Sequence, residues 1–302
     1  MFSLMMSLAF AQEPAPPIVN GSATSEFIQV GVIMAYYEGQ GGAPFCSGTL
    51  IHEKWVATAA HCIEAVEDYA NAGYDIYFAV GTSLYSEDDI EDYDVAVSWV
   101  EHPDYSMSQS GISADIGLLE LETGFPDIEP MALNYITPDD TWYGELLDYV
   151  GWGVTSDNSQ DSGVKRTTQI PYQESDGTFI YSYDSQTNLC SGDSGGAALL
   201  DTEDGYVLVG VNSFVFSVQD SNPCVGGASG ATRIDVYLDW IDTYIPEPEP
   251  IIEEAEDECD QDEDGDCIEE SKGLLGCSSV NVDTPIWLSL LGMAFFVRRR
   301  SD

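Results

Sequence analysis

Between Ile18 and Ile245 the apolar residues of this chain fall in short runs rich in β-branched and aromatic side chains, separated by Gly, Asp, Asn and Ser. The clearest are Phe27 to Tyr37, Tyr93 to Val100 and Tyr206 to Val218. Runs of that kind, bounded by turn formers, read as strands. One late segment, Arg233 to Ile245, has helical spacing: Ile234, Leu238, Ile241 and Ile245 share a face, and Pro246 stops it. The expected body is all-β with a terminal helix, and the pattern alone leaves a sandwich and barrels equally open.

Charge narrows the partners. The 302 residues include 54 Asp+Glu against 8 Lys+Arg, a formal net charge of −46 at pH 7. Phosphate binding needs clustered bases, so nucleic acid is excluded. Anionic partners are disfavoured without a bridging cation, and such a surface suits an ionic medium. The chain is not a disordered polyanion, because 44% hydrophobic and 11% aromatic residues supply a core. Cys46, Cys62, Cys190 and Cys224 lie in the body and Cys259, Cys267 and Cys277 near the end. None shows Cys-x-x-Cys spacing, which points to disulfides in an oxidising compartment.

The two ends read as addressing. Residues 1–11 are a short apolar run closing on Ala9-Phe10-Ala11, the pattern of a secretory signal peptide without its basic start; a buried strand is the competing reading. Residues 12–17 are then a short propeptide. The body spans 18–245, and Pro246-Glu-Pro-Glu-Pro250 opens a stiff, acidic, disordered linker over 246–276. Within it Asp260, Asp262, Asp264 and Asp266 alternate around Gly265 like the start of a calcium loop, although Ser271 stands where an EF-hand closes with Glu. Cys259 and Cys267 flank that loop and could bridge it. A second acidic run, Ser86 to Asp94, reads as a solvated face, with a calcium-binding loop as the competing reading.

Residues 277–302 comprise Cys277, an apolar run from Pro285 to Val297 and Arg298-Arg299-Arg300. The run is shorter than the ~20 residues of an ordinary spanning helix, and the arginines resist translocation. This combination resembles the C-terminal sorting tails of some Gram-negative bacteria, notably the myxobacterial type. The resemblance implies a short hydrophobic helix in the membrane, a sorting peptidase acting near Cys277 as partner, and surface anchoring. A plain tail anchor is the alternative.

The chemistry lies in three fragments in order: Thr58-Ala-Ala-His61-Cys62, Ala114-Asp115-Ile-Gly-Leu118 and Gly192-Asp193-Ser194-Gly-Gly196. A serine hydroxyl is a poor nucleophile until a base takes its proton. Histidine has a pKa suited to that task, and a carboxylate on its other nitrogen fixes the tautomer. Glycines beside Ser194 allow backbone N–H groups to converge on an oxyanion.

With Ile18-Val-Asn-Gly21, Cys46-Ser-Gly-Thr-Leu-Ile51, Gly151-Trp-Gly153 and Tyr237-Leu-Asp-Trp-Ile241, these fragments resemble the chymotrypsin-like (trypsin family) serine proteases across the whole body. The resemblance implies two antiparallel six-stranded β-barrels with a C-terminal helix. It makes His61 the general base, Asp115 the orienting carboxylate and Ser194 the nucleophile, with the N–H groups of Gly192 and Ser194 as the oxyanion hole. It pairs Cys46 with Cys62 and Cys190 with Cys224, and requires no catalytic cofactor; the carboxylate spacing in the linker leaves a structural calcium site and a plain acidic run both open. A monomer acting on proteins or peptides is expected.

By the same resemblance a freed Ile18 amine pairs with Asp193, yet Pro17 stands where activators find Arg or Lys. Asn188 takes the base of the specificity pocket, with Ser213, Val215 and Ser229 on its walls. A neutral base and bulkier walls imply small or medium uncharged side chains before the cleaved bond. A non-catalytic adhesin or binding module on the same fold is the rival reading, and the intact His61, Asp115 and Ser194 argue against it.

Overall fold

A computed structural model of the chain describes residues 17–39, 41–108, 111–219 and 221–245. The expectations for the signal peptide, the calcium loop, Cys259, Cys267, Cys277 and the tail lie outside these residues.

Twelve strands form two barrels. In the first, β1 (Val30–Tyr37), β2 (Gly41–His52), β3 (Trp55–Thr58), β4 (Asp75–Gly81), β5 (Ile90–Glu101) and β6 (Gly117–Leu121) close in the order β1-β2-β3-β6-β5-β4. In the second, β7 (Leu146–Gly151), β8 (Arg166–Ser175), β9 (Phe179–Tyr183), β10 (Ala197–Thr202), β11 (Gly205–Phe216) and β12 (Ala228–Arg233) run β8-β7-β10-β11-β12-β9, and β8–β9 pairing completes the ring. Every barrel pairing is antiparallel. The fold is the expected pair of six-stranded barrels.

Period-two patterning explains how the walls choose their faces. Along β8, Thr168, Ile170 and Tyr172 are buried, whereas Gln169 between them is exposed. A one-residue slip would turn that apolar set to solvent, so register is strongly specified. In the first barrel Gly31 and Gly48 face each other across β1 and β2. A Cβ on Gly31 would lie 2.5 Å from Phe78 Cζ. The two glycines make the slot that the fully buried Phe78 ring fills, edge-on to Phe125 at 6.0 Å.

The barrels are tied by the segment between them. Ala132–Leu133 pairs in parallel with Val207–Leu208 of β11, while Met131 N–H donates to Leu50 O in β2. Trp152 Nε1 donates to Val30 O across the junction.

Three expectations change in detail. The strand read from Phe27 begins at Val30, because Phe27 has φ 54 and sits in a turn. The helix expected over Arg233 to Ile245 is reduced to α2 (Leu238–Ile241) with a turn beyond it: Arg233 ends β12, and Ile234 N–H still bonds to Val209 O. Ile234 and Ile241 are nevertheless both buried in the core. A helix with no counterpart in the sequence reading, α1 (Ala60–Asn71), follows β3 and buries Cys62, Ile63 and Val66. Among the described residues no helix is long and apolar enough to cross a membrane.

Phe78→Ala should open a cavity and cost about 3–5 kcal/mol of stability, read as a lower urea midpoint with an unchanged slope.

Candidate active site

The cleft between the barrels gathers the three fragments. His61 is the second residue of α1, and its exposed edge contrasts with the fully buried Asp115 before β6. Asp115 Oδ1 accepts the His61 backbone N–H at 3.0 Å, and Oδ2 lies 2.9 Å from His61 Nδ1. Ser213 Oγ, 98 residues away in sequence, also donates to Oδ2. With Nδ1 carrying the ring proton, Asp115 accepts three hydrogen bonds and Nε2 is the ring's acceptor. Ala114 has φ 47, a left-handed conformation costing about 1–3 kcal/mol for a residue with a Cβ. It delivers Asp115 from the turn into the cleft.

Ser194 reaches the same cleft through its backbone: its carbonyl accepts Ser47 N–H of β2 at 2.8 Å. Gly195, with φ 81, touches the first barrel so closely that a Cβ would lie 2.1 Å from Thr58 Oγ1 and 2.2 Å from Ser47 O. Only glycine fits there. Among the described hydrogen bonds none joins Ser194 Oγ to His61. Ser47 was not singled out from the sequence: its Oγ donates to Gly192 O at 2.8 Å and accepts Trp152 N–H at 3.0 Å. One hydroxyl therefore braces the Gly192 peptide, whose φ of 94 again requires glycine.

Asp193 is the second buried carboxylate. Its Oδ1 accepts Gly153 N–H at 2.8 Å and its Oδ2 accepts Cys190 N–H at 2.9 Å. A Cβ on Gly151 or Gly153 would strike Oδ1 at 2.4 or 2.7 Å, which explains the Gly-Trp-Gly pattern. Burial pushes the Asp193 pKa up to about 6, against the pull of those two N–H groups and the Arg166 charge. Ile18, with Pro17 still attached, is fully buried with φ 40, and Val19 bridges to Asn188. No hydrogen bond or ion pair joins Ile18 to Asp193 among the described residues; the Ile18 nitrogen there is an amide, not an amine.

The specificity residues divide. Ser213 and Val215 line a cavity of about 140 Å³ beside Ser194, together with Cys190, Ser191 and Phe214. Asn188 and Ser229 do not line it. They are buried beneath, where Asn188 Nδ2 donates to Pro223 O at 2.6 Å and Ser229 Oγ donates to Asn188 Oδ1. Both polar atoms of the amide are therefore engaged by the protein itself. Val215 pairs with Ser229 across β11 and β12. Phe214 lies on Gly230, where a Cβ would come within 2.3 Å of the ring, and meets Phe179 edge-on at 5.0 Å.

Disulfides join Cys46 to Cys62 and Cys190 to Cys224. The only clusters of three metal-ligand side chains among the described residues contain these oxidised cysteines, so neither offers a thiolate site. The run Ser86 to Asp94 forms a capped turn and the start of β5, with Asp94 Oδ2 accepting Thr123 and Gly124 N–H groups.

The raised Asp193 pKa carries a signed consequence. An unfolded Asp titrates near ~3.9, so the native chain holds this proton to higher pH. The stabilisation is fully present below about pH 4 and is lost as pH rises through about 6. Relative to Asp193→Asn, the wild-type chain retaining Pro17 should lose about 2 kcal/mol between pH 4 and pH 7. Urea midpoints of both chains across that range measure it, and a constant difference would contradict it.

Comparison with known proteins agrees with the geometry. The family profile described as Trypsin matches residues 18–241. Brachyurin of Leptuca pugilator is 26% identical over 206 residues, 66% of this chain and 87% of that protein. Chymotrypsin-like elastase family member 1 of Bos taurus is 26% identical over 248 residues, 76% of this chain and 89% of that protein. The proclotting enzyme of Tachypleus tridentatus is 30% identical over 243 residues, covering 70% of this chain and 62% of that longer protein. Trypsin-family enzymes need no catalytic cofactor and act on proteins or peptides. This chain belongs to the trypsin family and is a serine-type endopeptidase.

Proposed function

We propose that the chain cleaves peptide bonds through His61, Asp115 and Ser194 by way of an acyl-enzyme. The observation that carries this reading is the three-donor grip on Asp115, which leaves His61 Nε2 as the acceptor facing the cleft. His61 takes the Ser194 proton as Oγ attacks the scissile carbonyl, and the N–H groups of Gly192 and Ser194 hold the oxyanion. The amine leaves with the proton from His61. Water then enters by the same route in reverse and frees the acid and Ser194. A hydrogen bond from Ser194 Oγ to His61 forms as substrate fills the cleft, the usual behaviour of catalytic hydrogen bonds.

The substrate side chain before the scissile bond is small or medium and uncharged. The 140 Å³ cavity, the Val215 wall and an Asn188 amide already bonded to Pro223 and Ser229 support this. Among the described residues no carboxylate lines that cavity to hold Lys or Arg. Full activity follows release of Ile18, whose ammonium then pairs with Asp193. The strained φ of 40 at a β-branched residue supports a segment that relaxes when Pro17 is removed. The protease domain spans 18–245, behind a signal at 1–11 and a propeptide at 12–17. Two disulfides in the body support an exported protein, and the tail beyond Cys277 anchors it at the cell surface as a monomer.

A fluorophosphonate probe should label the processed native chain and not Ser194→Ala. Absence of labelling of the native chain would favour a binding module. Val215→Gly should widen the cavity and raise kcat/KM for Phe or Leu over Ala by about tenfold or more, measured on a peptide library. Cleavage of that library by the native enzyme mainly after Lys or Arg would overturn the neutral-pocket reading.

A further inference from the structure

Arg166 opens β8 on the far side of the Gly-Trp-Gly turn from Asp193. The chain has only 8 Lys and Arg, and this one is buried, 4% exposed. A buried guanidinium costs several kcal/mol unless its surroundings answer the charge. Its Nη1 donates to Gly153 O at 2.7 Å and to Val164 O at 3.3 Å. Its Nη2 stands 3.8 Å from Asp161 Oδ2, a carboxylate partly in solvent, and its buried Nε has no hydrogen-bond partner. Neutral carbonyls and one distant, hydrated acid leave much of the charge unanswered.

The complementary deficit lies on the other side of Gly153. That residue's N–H donates to Asp193 Oδ1 while its carbonyl accepts Arg166, so cation and anion grip one residue from opposite ends. Among the described residues Asp193 touches no cation directly, and Arg166 is the positive charge that acts on it. Lys165, the other buried base nearby, is turned to Phe27 O. The remaining charged or titratable groups acting on this pair are Asp161, which repels Asp193, and Tyr85 beside Arg166. With Pro17 in place there is no Ile18 ammonium to share the task.

We propose that Arg166 is a positioning residue for the oxyanion loop: from across Gly153 its guanidinium holds the Asp193 carboxylate, and with it Gly192, in the working arrangement while Ile18 is still joined to Pro17. The proposal rests on the assignment of Gly192 and Ser194 to the oxyanion hole. Two unlike charges in a dry interior attract strongly even through an intervening peptide, and the Gly153 dipoles are aligned to transmit that attraction. The chain therefore works before its terminus is trimmed, and the freed amine adds to a field that already exists. A precursor of this kind does not depend on an activator that cuts after Arg or Lys, which Pro17 denies it.

The test uses the full chain in two forms. One retains Gln12 to Pro17. The other begins at Ile18, obtained from Pro17→Arg by cleavage after position 17. For each, kcat/KM is measured on a peptide anilide with Ala before the scissile bond, alongside fluorophosphonate labelling. Untrimmed wild type should be active. Arg166→Gln should lower kcat/KM of the untrimmed form by about tenfold or more, Arg166→Lys should restore most of it, and in the trimmed form the loss from Arg166→Gln should shrink to about threefold or less. Activity of the trimmed Arg166→Gln chain also shows that the variant folds. Inactive untrimmed wild type beside an active trimmed form would overturn the proposal. Equal losses in both forms, or no rescue by lysine, would do so too. If neither wild-type form is labelled, the catalytic assignment fails and the proposal falls with it.

Discussion

The Asp193 carboxylate is fully buried at the junction of the barrels, and its two oxygens are held by the N–H groups of Gly153 and Cys190. An anion in that position is tolerated only where dipoles and a charge converge on it. Much of the neighbouring sequence follows from that need. Gly151 and Gly153 have no side chain because a Cβ would collide with the carboxylate. Cys190 is fixed in turn by its disulfide to Cys224, and Gly196 N–H donates to Asp193 O. The loop that presents Gly192 and Ser194 is thus built backward from one buried charge.

The first barrel supplies the opposite wall, and a single strand does most of it. Ser47 of β2 uses its N–H for Ser194 O and its hydroxyl for Gly192 O and Trp152 N–H, while Thr58 Oγ1 donates to Ser47 O. The Cys46–Cys62 bridge fixes the neighbour of Ser47 to the neighbour of His61. Nucleophile loop and imidazole are therefore referenced to the same two adjacent residues of β2, Cys46 and Ser47. That shared reference holds the two groups in register, as near-attack geometry requires.

What could be read from the sequence follows from how local each signal is. His61, Asp115 and Ser194 sit in contiguous strings whose composition is dictated by tight turns and close approach, so they were legible as strings. The fold class was legible through the family resemblance, whereas periodicity left sandwich and barrel open. Ser47 and Arg166 act across more than a hundred and about a dozen residues respectively, on backbone atoms that carry no sequence signature. Ser213 was legible as a pocket wall but not as a donor to Asp115, because that bond joins residues 98 positions apart on different strands and loops. Helix α1 was missed for a different reason: its apolar face, Ile63, Val66 and Ala70, is short and follows directly on the His-Cys string. The late helix was overdrawn because Ile234 falls on the helical face by spacing while its N–H is still bonded to Val209 O.

The acidity of the chain looks different once the bases are placed. Between Ile18 and Ile245 there are 37 acids and only Lys54, Lys165, Arg166 and Arg233. Each of those four donates to a backbone carbonyl: Glu122, Phe27, Gly153 and Asp176 in turn. Lys165, Arg166 and Arg233 are buried, which leaves only the partly exposed Lys54 to balance the acids at the surface of this body. The outer charge is thus nearly all negative, which repels anionic partners and favours neutral or cationic ones. The few cations stay where a chain turn or a buried carboxylate needs a fixed positive field. A chain depleted of bases keeps those whose removal would leave a buried group unanswered, and Arg166 beside Asp193 is the one whose field reaches the catalytic loop.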